Sequence, residues 1–372
     1  MMAASTAGQA SGIRKPLPCE QFDHHDTNAE MCWDSVDPAA ELTTQERLFV
    51  RSHTSTPTID ATTYRLRIFG DGLSTPLSAD EALTFSHHEL RSLGEETFTG
   101  VFECTGNGRS FFATQQGRPA PGTQWRLGSV GAVQWIGVRL SRLLDTVGLD
   151  QQAVSIQAAG LDPHYVDEDG VDHGHVRRPL PVDKALADTF LAWGADGRDL
   201  LPDHGFPIRL VVPGWVGIAS IKWLGSLEIS TSELTSPWNT HWYRMTGPEH
   251  PADSPPLTHN PVRAAFELAW GATIASGPSV RLTGRAWSGV GPIAAVDVST
   301  DGGTTWQPAR LRDGDPAVWT RWTFDWEDPP RGEQVLLARA TDVAGRTQPM
   351  VATPNDEGYF FDAVVQHPVR VV

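Results

Sequence analysis

Glycine and proline decide first what this chain can become. The sequence holds 35 Gly and 28 Pro. Proline removes a backbone donor and breaks helix interiors, and glycine marks turns. Long helices therefore cannot dominate, and a β-rich or mixed α+β chain is expected. The segment 245–262, MTGPEHPADSPPLTHNPV, gathers proline, histidine and polar residues and reads as a linker. A chain of 372 residues has room for two or three domains. The linker sets the count at two, over 41–245 and 262–372, behind an arm over 1–40.

The two halves read differently. Before the linker, strands are expected over 63–73, 98–104, 206–214 and 221–230, and helices over 86–93, 138–149 and 181–194. After it, short alternating runs recur (SVRLTGRAW, WTRWTFDW, QVLLARATDVAG), with Asp301-Gly302-Gly303 as a hairpin signal. This is β-sandwich spacing. Six of the 14 Trp fall here, at strand spacing, and are read as core. The second half is therefore assigned to structure or association, not chemistry.

Composition removes several functions. Lys plus Arg is 29 and Asp plus Glu is 45, a net charge of −16. Nucleic acid and anionic membranes both need basic surface, so neither is an expected partner. The cysteines, Cys19, Cys32 and Cys104, are an odd and widely spaced set without a CxxC pair. They outline neither a disulfide framework nor a zinc site. No run of 18 apolar residues exists, and the N-terminus shows no apolar leader, so a cytoplasmic protein is expected. P-loop, GxGxxG, HExxH and GxSxG motifs are all missing.

Cys104 is the residue most suggestive of chemistry. It ends a predicted strand and runs into Thr105-Gly106-Asn107-Gly108-Arg109. Glycines there let backbone approach a ligand closely, and Arg109 adds a fixed cation. The residues leave three readings open: a small buried apolar side chain, a nucleophile paired with a histidine, or a soft ligand to a transition metal. Arg51, His53, His204, Arg209 and Lys222 recur at other predicted strand and loop ends, and together they suggest a pocket for an anion. The loop DPHYVDEDGVDHGH (162–175) reads as a solvated acidic loop.

These segments resemble a known family. FECTGNGRSFF resembles the cysteine motif of the sulfite oxidase family of molybdenum enzymes. HGFPIRLVVPGWVGIASIKWLGSLEIS resembles its longest signature, and ERLFVRSHTSTP its N-terminal motif. GRAWSGVGPIAAVDVSTDGGTTW and NDEGYFFDAVVQHPVRV resemble the start and close of its C-terminal domain. The resemblance implies an α+β chain: a mixed α/β molybdenum-cofactor domain followed by an immunoglobulin-like β-sandwich that forms a homodimer. It implies the molybdenum–molybdopterin cofactor, with Cys104 as the metal's thiolate ligand. His53, His204, Arg209, Ser220 and Lys222 would hold the pterin and its phosphate. Arg51, Arg109 and Trp125 would line the substrate pocket.

The implied reaction is oxidation of sulfite, or a related sulfur oxyanion, by oxygen-atom transfer, with electrons passing to an external acceptor. Three positions depart from the family pattern. Gly174 falls where sulfite-oxidising members carry a tyrosine; Tyr165, His173 and His175 lie nearby, and His175 is put forward in its place. Pro292 stands near where sulfite oxidases carry a C-terminal-domain arginine that reaches the substrate pocket, and Arg142 stands where some members carry a helix aspartate that contacts the pterin. Arg177-Arg178-Pro179-Leu180 resembles the family's sulfane dehydrogenase branch, an alternative with a different sulfur substrate. A cysteine hydrolase using Cys104 with His204 or His53 is the other alternative.

Overall fold

The structure is a computed structural model that describes residues 12–37, 39–315 and 318–372. The first half contributes β1 (Phe22–His25), β2 (Asn28–Met31), β3 (Arg65–Phe69), β4 (Leu83–Ser86), α1 (His87–Ser92), β5 (Glu96–Glu103) and α2 (Ser110–Thr114). There follow β6 (Val130–Arg139), α3 (Leu140–Val147), β7 (Ser155–Gly160), β8 (Arg177–Pro181), α4 (Val182–Ala187), β9 (Phe190–Ala195), β10 (Arg198–Asp199), β11 (Arg209–Val211), β12 (Leu224–Ser230) and α5 (Pro237–Thr240). The second half contributes β13 (Arg263–Phe266), β14 (Ala272–Ile274), β15 (Ser279–Trp287), β16 (Ile293–Ser299), β17 (Gln307–Pro308), β18 (Arg310–Leu311), β19 (Thr320–Glu327), β20 (Gly332–Asp342) and β21 (His367–Val371).

Helices are short, as the proline and glycine content requires. Where they form, local chemistry explains them. Ser86 caps α1 in a reciprocal capping box with Glu89. α3 buries Leu140, Leu143 and Leu144 along one face and stops at Gly148, whose φ of 77° favours glycine. The helix expected over 181–194 is corrected: α4 ends at Ala187, and Phe190–Ala195 is strand β9, buried at every position. β9 lies inside its sheet, between β6 on one side and β10 and β11 on the other. A strand covered on both faces reads as a continuous apolar run, which periodicity cannot tell from a buried helix.

Among the described residues, two five-stranded sheets make the first domain. One has the order β10-β9-β6-β5, with β11 also on β9; the other runs β4-β3-β12-β7-β8. β12 pairs parallel with β3 and antiparallel with β7, so the second sheet is mixed. The second domain places β13-β15-β19-β18 against β14-β21-β20-β16-β17. Leu282, Trp322 and Trp326 of one sheet share a core with Val296, Val298, Leu336 and Val369 of the other, so the two sheets form a sandwich.

The reading of residues 1–40 as an unpacked arm is corrected for the described part. β1 and β2 form a hairpin, and Phe22, Ala29, Met31 and Trp33 are buried. They share one core with Phe111 and Phe112 of the first domain and with Trp287, Trp319 and Phe361 of the second. Trp33 lies 6.0 Å from Trp287 and 6.3 Å from Trp319, ring centroid to centroid. Its indole N–H donates to the Phe266 carbonyl at 2.7 Å. The N-terminal hairpin is thus a wedge between the domains. Residues 1–11 lie outside the described residues.

The 245–262 segment joins the domains but is packed as well: Arg178 donates to the Leu257 carbonyl at 2.7 Å, and Asn260 is buried. No helix among the described residues is long and apolar enough to cross a membrane.

Candidate functional site

Cys104 stands just past the end of β5, where the ladder with β6 gives way to a tight turn. Its N–H donates to the Ser129 carbonyl at 2.9 Å, and its carbonyl accepts from Asn107 N–H at 3.0 Å. Gly108 takes a φ of 84°, and the Arg109 N–H reaches back to the Gly106 carbonyl at 2.9 Å. Behind Cys104 lies a buried polar network. The Glu103 carboxylate accepts from Asn107 at 2.8 Å and from the Trp287 indole at 3.0 Å, and it pairs with Arg263 at 2.9 Å. Burial pushes the Glu103 carboxyl up, and Arg263 opposes the shift. Two of these partners belong to the second domain.

Two cavities meet at Cys104. The inner cleft is lined by Ser52, Asp162, Asp203, His204, Arg209, Ser220 and Lys222 among others. The outer cavity is lined by Arg109, Trp125, Tyr165, Trp242, Glu357 and Tyr359 among others. Cys104, Arg51, His53 and Tyr243 line both.

The inner cleft is built from buried, pre-set donors. Arg209 donates to the carbonyls of His204 and Ser220, both at 3.0 Å, and lies 4.8 Å from the Phe102 and Trp135 ring centroids. Burial lowers its pKa to about 9, so it stays charged at neutral pH. Lys222 donates to Ser52 Oγ at 2.7 Å and to the Asp203 carbonyl at 2.9 Å. Burial, with Arg209 nearby, pulls it down to about 7. Burial also holds His204 and His53 well below the usual imidazole range, so both are neutral. His204 Nε2 lies 2.8 Å from the Gln45 carbonyl, which fixes that nitrogen as the N–H donor. His53 Nε2 lies 2.9 Å from Arg51 Nη2 and 3.2 Å from the Trp238 indole nitrogen, and so acts as acceptor.

The outer cavity carries Arg51 and Arg109. Arg109 gives Nε to the Gly358 carbonyl at 3.2 Å and Nη1 to the Thr123 carbonyl at 3.0 Å. A Cβ on Gly106 would approach Arg109 Nη2 to 2.9 Å, and one on Gly122 would approach Nη1 to 2.9 Å. Glycine at both positions therefore makes room for the guanidinium. None of Arg51, Arg109, Arg209 and Lys222 forms an ion pair with a carboxylate among the described residues.

The model of the oxidoreductase molybdopterin binding domain matches residues 53–238. The model of the Mo-co oxidoreductase dimerisation domain matches residues 268–364. The sulfite oxidase of Gallus gallus is 32% identical over 344 residues, covering 86% of this chain and 72% of that protein. The chain belongs to the sulfite oxidase family. The mitochondrial sulfite oxidase of Mus musculus is 30% identical across 91% of this chain, which spans 64% of the mouse protein's length. The crystal structure of the sulfane dehydrogenase SoxCD from Paracoccus pantotrophus superposes with a TM-score of 0.78 at 26% identity. That match covers 97% of this chain and 92% of the other.

The cofactor of this family is the molybdenum cofactor, and the inner cleft fits it. Buried cations that burial and mutual repulsion push down are relieved by an anion, and a pterin phosphate is one. Among the described residues no cluster of three or more His, Cys, Asp or Glu could cage a metal ion. Cys104 is the one thiol that lines either cavity among the described residues, so a metal held beside it would take its remaining ligands from the cofactor or from solvent.

The two cavities together are lined by nine of the ten sequence-predicted residues. Arg51, His53, Cys104, His204, Arg209, Ser220 and Lys222 line the inner cleft, and Arg109 and Trp125 the outer cavity. His175 is the exception. It is exposed, bonded through Nδ1 to the Asp162 carbonyl and packed on His164 at 4.6 Å, and it lines neither cavity. Tyr165, ten residues earlier, lines the outer cavity instead and sits 5.5 Å from the His53 ring.

Sequence reasoning also missed Tyr243, Glu357 and Tyr359. Tyr243 lies between both cavities, its hydroxyl 3.5 Å from His53 Nε2 and its ring stacked on Tyr359 at 5.1 Å. The second domain was expected to stay clear of chemistry; instead its 355–360 segment walls the outer cavity. The signal was present in NDEGYFF, since polar and aromatic residues cluster there off any strand pattern.

Proposed function

We propose that the chain is a molybdenum-cofactor oxidoreductase that oxidises sulfite or a related sulfur oxyanion by oxygen-atom transfer. Electrons pass singly to an external acceptor. The observation that carries this reading is the position of Cys104, where the cationic inner cleft opens into the arginine-lined outer cavity. Cys104 is then the metal's protein thiolate, and His53, His204, Arg209, Ser220 and Lys222 hold the pterin and its phosphate. The bound cofactor supplies the two-electron oxygen-atom chemistry. The chain's own residues do the rest. Arg51 and Arg109 bind and orient the oxyanion beside Cys104. Trp125, fully buried, sets the cavity wall behind them. Tyr243 and Tyr165 offer hydroxyls at the cavity where His175 was expected to act.

A sulfane sulfur, the substrate type in the name of SoxCD, is the second reading, supported by a likeness that spans 97% of the chain. The cysteine hydrolase finds less support. No histidine nitrogen hydrogen-bonds Cys104 among the described residues, and burial pushes its thiol up. We also read the 262–372 sandwich as immunoglobulin-like and as the surface that pairs two copies.

Metal and pterin analysis of purified protein, with a sulfite assay using ferricyanide as acceptor, tests the main reading. Stoichiometric molybdenum and sulfite turnover are expected. Cys104→Ser should lose at least ~100-fold in turnover, the upper range for disturbing a metal's surroundings. Full activity of Cys104→Ser, or molybdenum-loaded protein inert to every sulfur oxyanion, overturns it.

A further inference from the structure

Arg51 and Arg109 make the outer cavity a site for an oxyanion, but much of its wall is of another kind. Tyr165, Trp242, Tyr243 and Tyr359 bring four aromatic rings to it. Tyr165 and Trp242, both half-buried, meet edge to face at 5.5 Å, while Tyr359 stacks on Tyr243 and carries Arg109 at 5.6 Å. Beside them Glu357 lines the same cavity, half-buried, with no hydrogen-bond or ion-pair partner among the described residues. Burial pushes the hydroxyls of Tyr165 and Tyr359 up, and the charge of Glu357 adds a smaller push to both.

A carboxylate in that position opposes a compact inorganic dianion. Aromatic rings beside a carboxylate are instead the chemistry that recognises an ammonium group. A guanidinium pair recognises an oxyanion. One small molecule satisfies both sets of residues if it is a zwitterion.

We propose that the outer cavity takes an ammonium-bearing alkanesulfinate. Its sulfinate lies toward Arg51, Arg109 and Cys104, and its ammonium lies against Glu357, Tyr165 and Trp242. This rests on the oxygen-atom-transfer reading above and names the substrate class. The reaction balances as a sulfinate and water giving a sulfonate, two protons and two electrons. One sulfur–oxygen bond forms, its oxygen drawn from water. The sulfur is oxidised by two electrons, which leave one at a time to an external one-electron acceptor, and the protons go to solvent.

The test uses the cofactor-loaded enzyme with ferricyanide as acceptor, on 2-aminoethanesulfinate, ethanesulfinate and sulfite. The kcat/KM for the amino compound should exceed that for ethanesulfinate by ~10-fold or more, and Glu357→Gln should bring the ratio near one. Binding of the unreactive products, 2-aminoethanesulfonate and ethanesulfonate, followed by calorimetry, should show the same preference and the same loss. Equal values for the two sulfinates, or a preference that survives Glu357→Gln, overturn the proposal, and sulfite turnover in that case leaves the broader reading standing. If no sulfur oxyanion is oxidised, the broader reading fails, and the sulfonate binding ratio alone decides whether the ammonium site exists.

Discussion

Arg109 shows how a side chain can be both fixed and available. Two of its nitrogens are spent on backbone carbonyls, Gly358 at 3.2 Å and Thr123 at 3.0 Å, and no carboxylate neutralises it among the described residues. Its charge is therefore held in place and left for a ligand. A charged hydrogen bond is worth about 1.5–3 kcal/mol, so Arg109→Gln should lower kcat/KM for the oxyanion by ~10- to 100-fold. Steady-state kinetics at fixed acceptor concentration measure it, and an unchanged kcat/KM would remove Arg109 from the site. Arg209 makes the opposite use of the same group. Every nitrogen is given to carbonyls or sandwiched by aromatic rings, so its charge reaches the cleft through a rigid, desolvated frame. Residue type alone does not separate these two arginines. The difference lies in what surrounds them.

Among the elements, the β16–β17 hairpin was the most legible in the sequence, and its chemistry is local. Asp301 accepts from Thr305 N–H at 2.9 Å, and its carboxylate also takes the hydroxyls of Thr305 and Ser299 at 2.6 and 2.7 Å. Gly302 and Gly303 supply φ of 69° and 95°. These hydrogen bonds, chiefly from Thr305, hold Asp301 down to about 2 from 3.8. A carboxylate with a lowered folded-state pKa stabilises fully above its unfolded value and loses that contribution as protonation overtakes it. Asp301→Ala should therefore lower the Tm at pH 7. The gap to the parent protein should close as pH falls from 3.8 to about 2. A gap that is constant across that range would mean the side chain acts by packing. β9 is the contrasting element. Sequence pattern predicts helix through Phe190–Ala195 because a strand buried on both faces has no alternation to report.

At the scale of the whole molecule, the second domain helps to build the site it was expected to leave alone. Glu103, next to Cys104, is held by Arg263 and Trp287, and both residues are buried across the domain junction. Removing one partner of a buried pair leaves the other charge uncompensated and costs about 3–5 kcal/mol. Glu103→Ala should show that loss in urea denaturation, together with weaker cofactor retention. A loss below ~1 kcal/mol would mean that the junction does not depend on this pair. The net charge of −16 acts at the same scale. On the proposed function it would repel an anionic substrate at a distance while Arg51 and Arg109 would attract it locally. Added salt screens the longer-range effect first, so kcat/KM for sulfite should rise with ionic strength. A steep fall, measured in stopped-flow or steady-state assays, would show that the cavity's own field dominates.

The sequence by itself determined a β-rich chain, and it singled out Cys104 and the cations that line the two cavities with it. Each is written in local pattern: turn residues, alternation, and a motif whose spacing carries its chemistry. The tertiary structure alone decided three further matters. It folded the N-terminal hairpin into the domain junction, placed Tyr165 and Tyr243 rather than His175 on the outer cavity, and brought Glu357 and Tyr359 to that cavity from more than 250 residues beyond Cys104. These are long-range placements. They follow from which buried surfaces find each other, and no window of neighbouring residues encodes that choice.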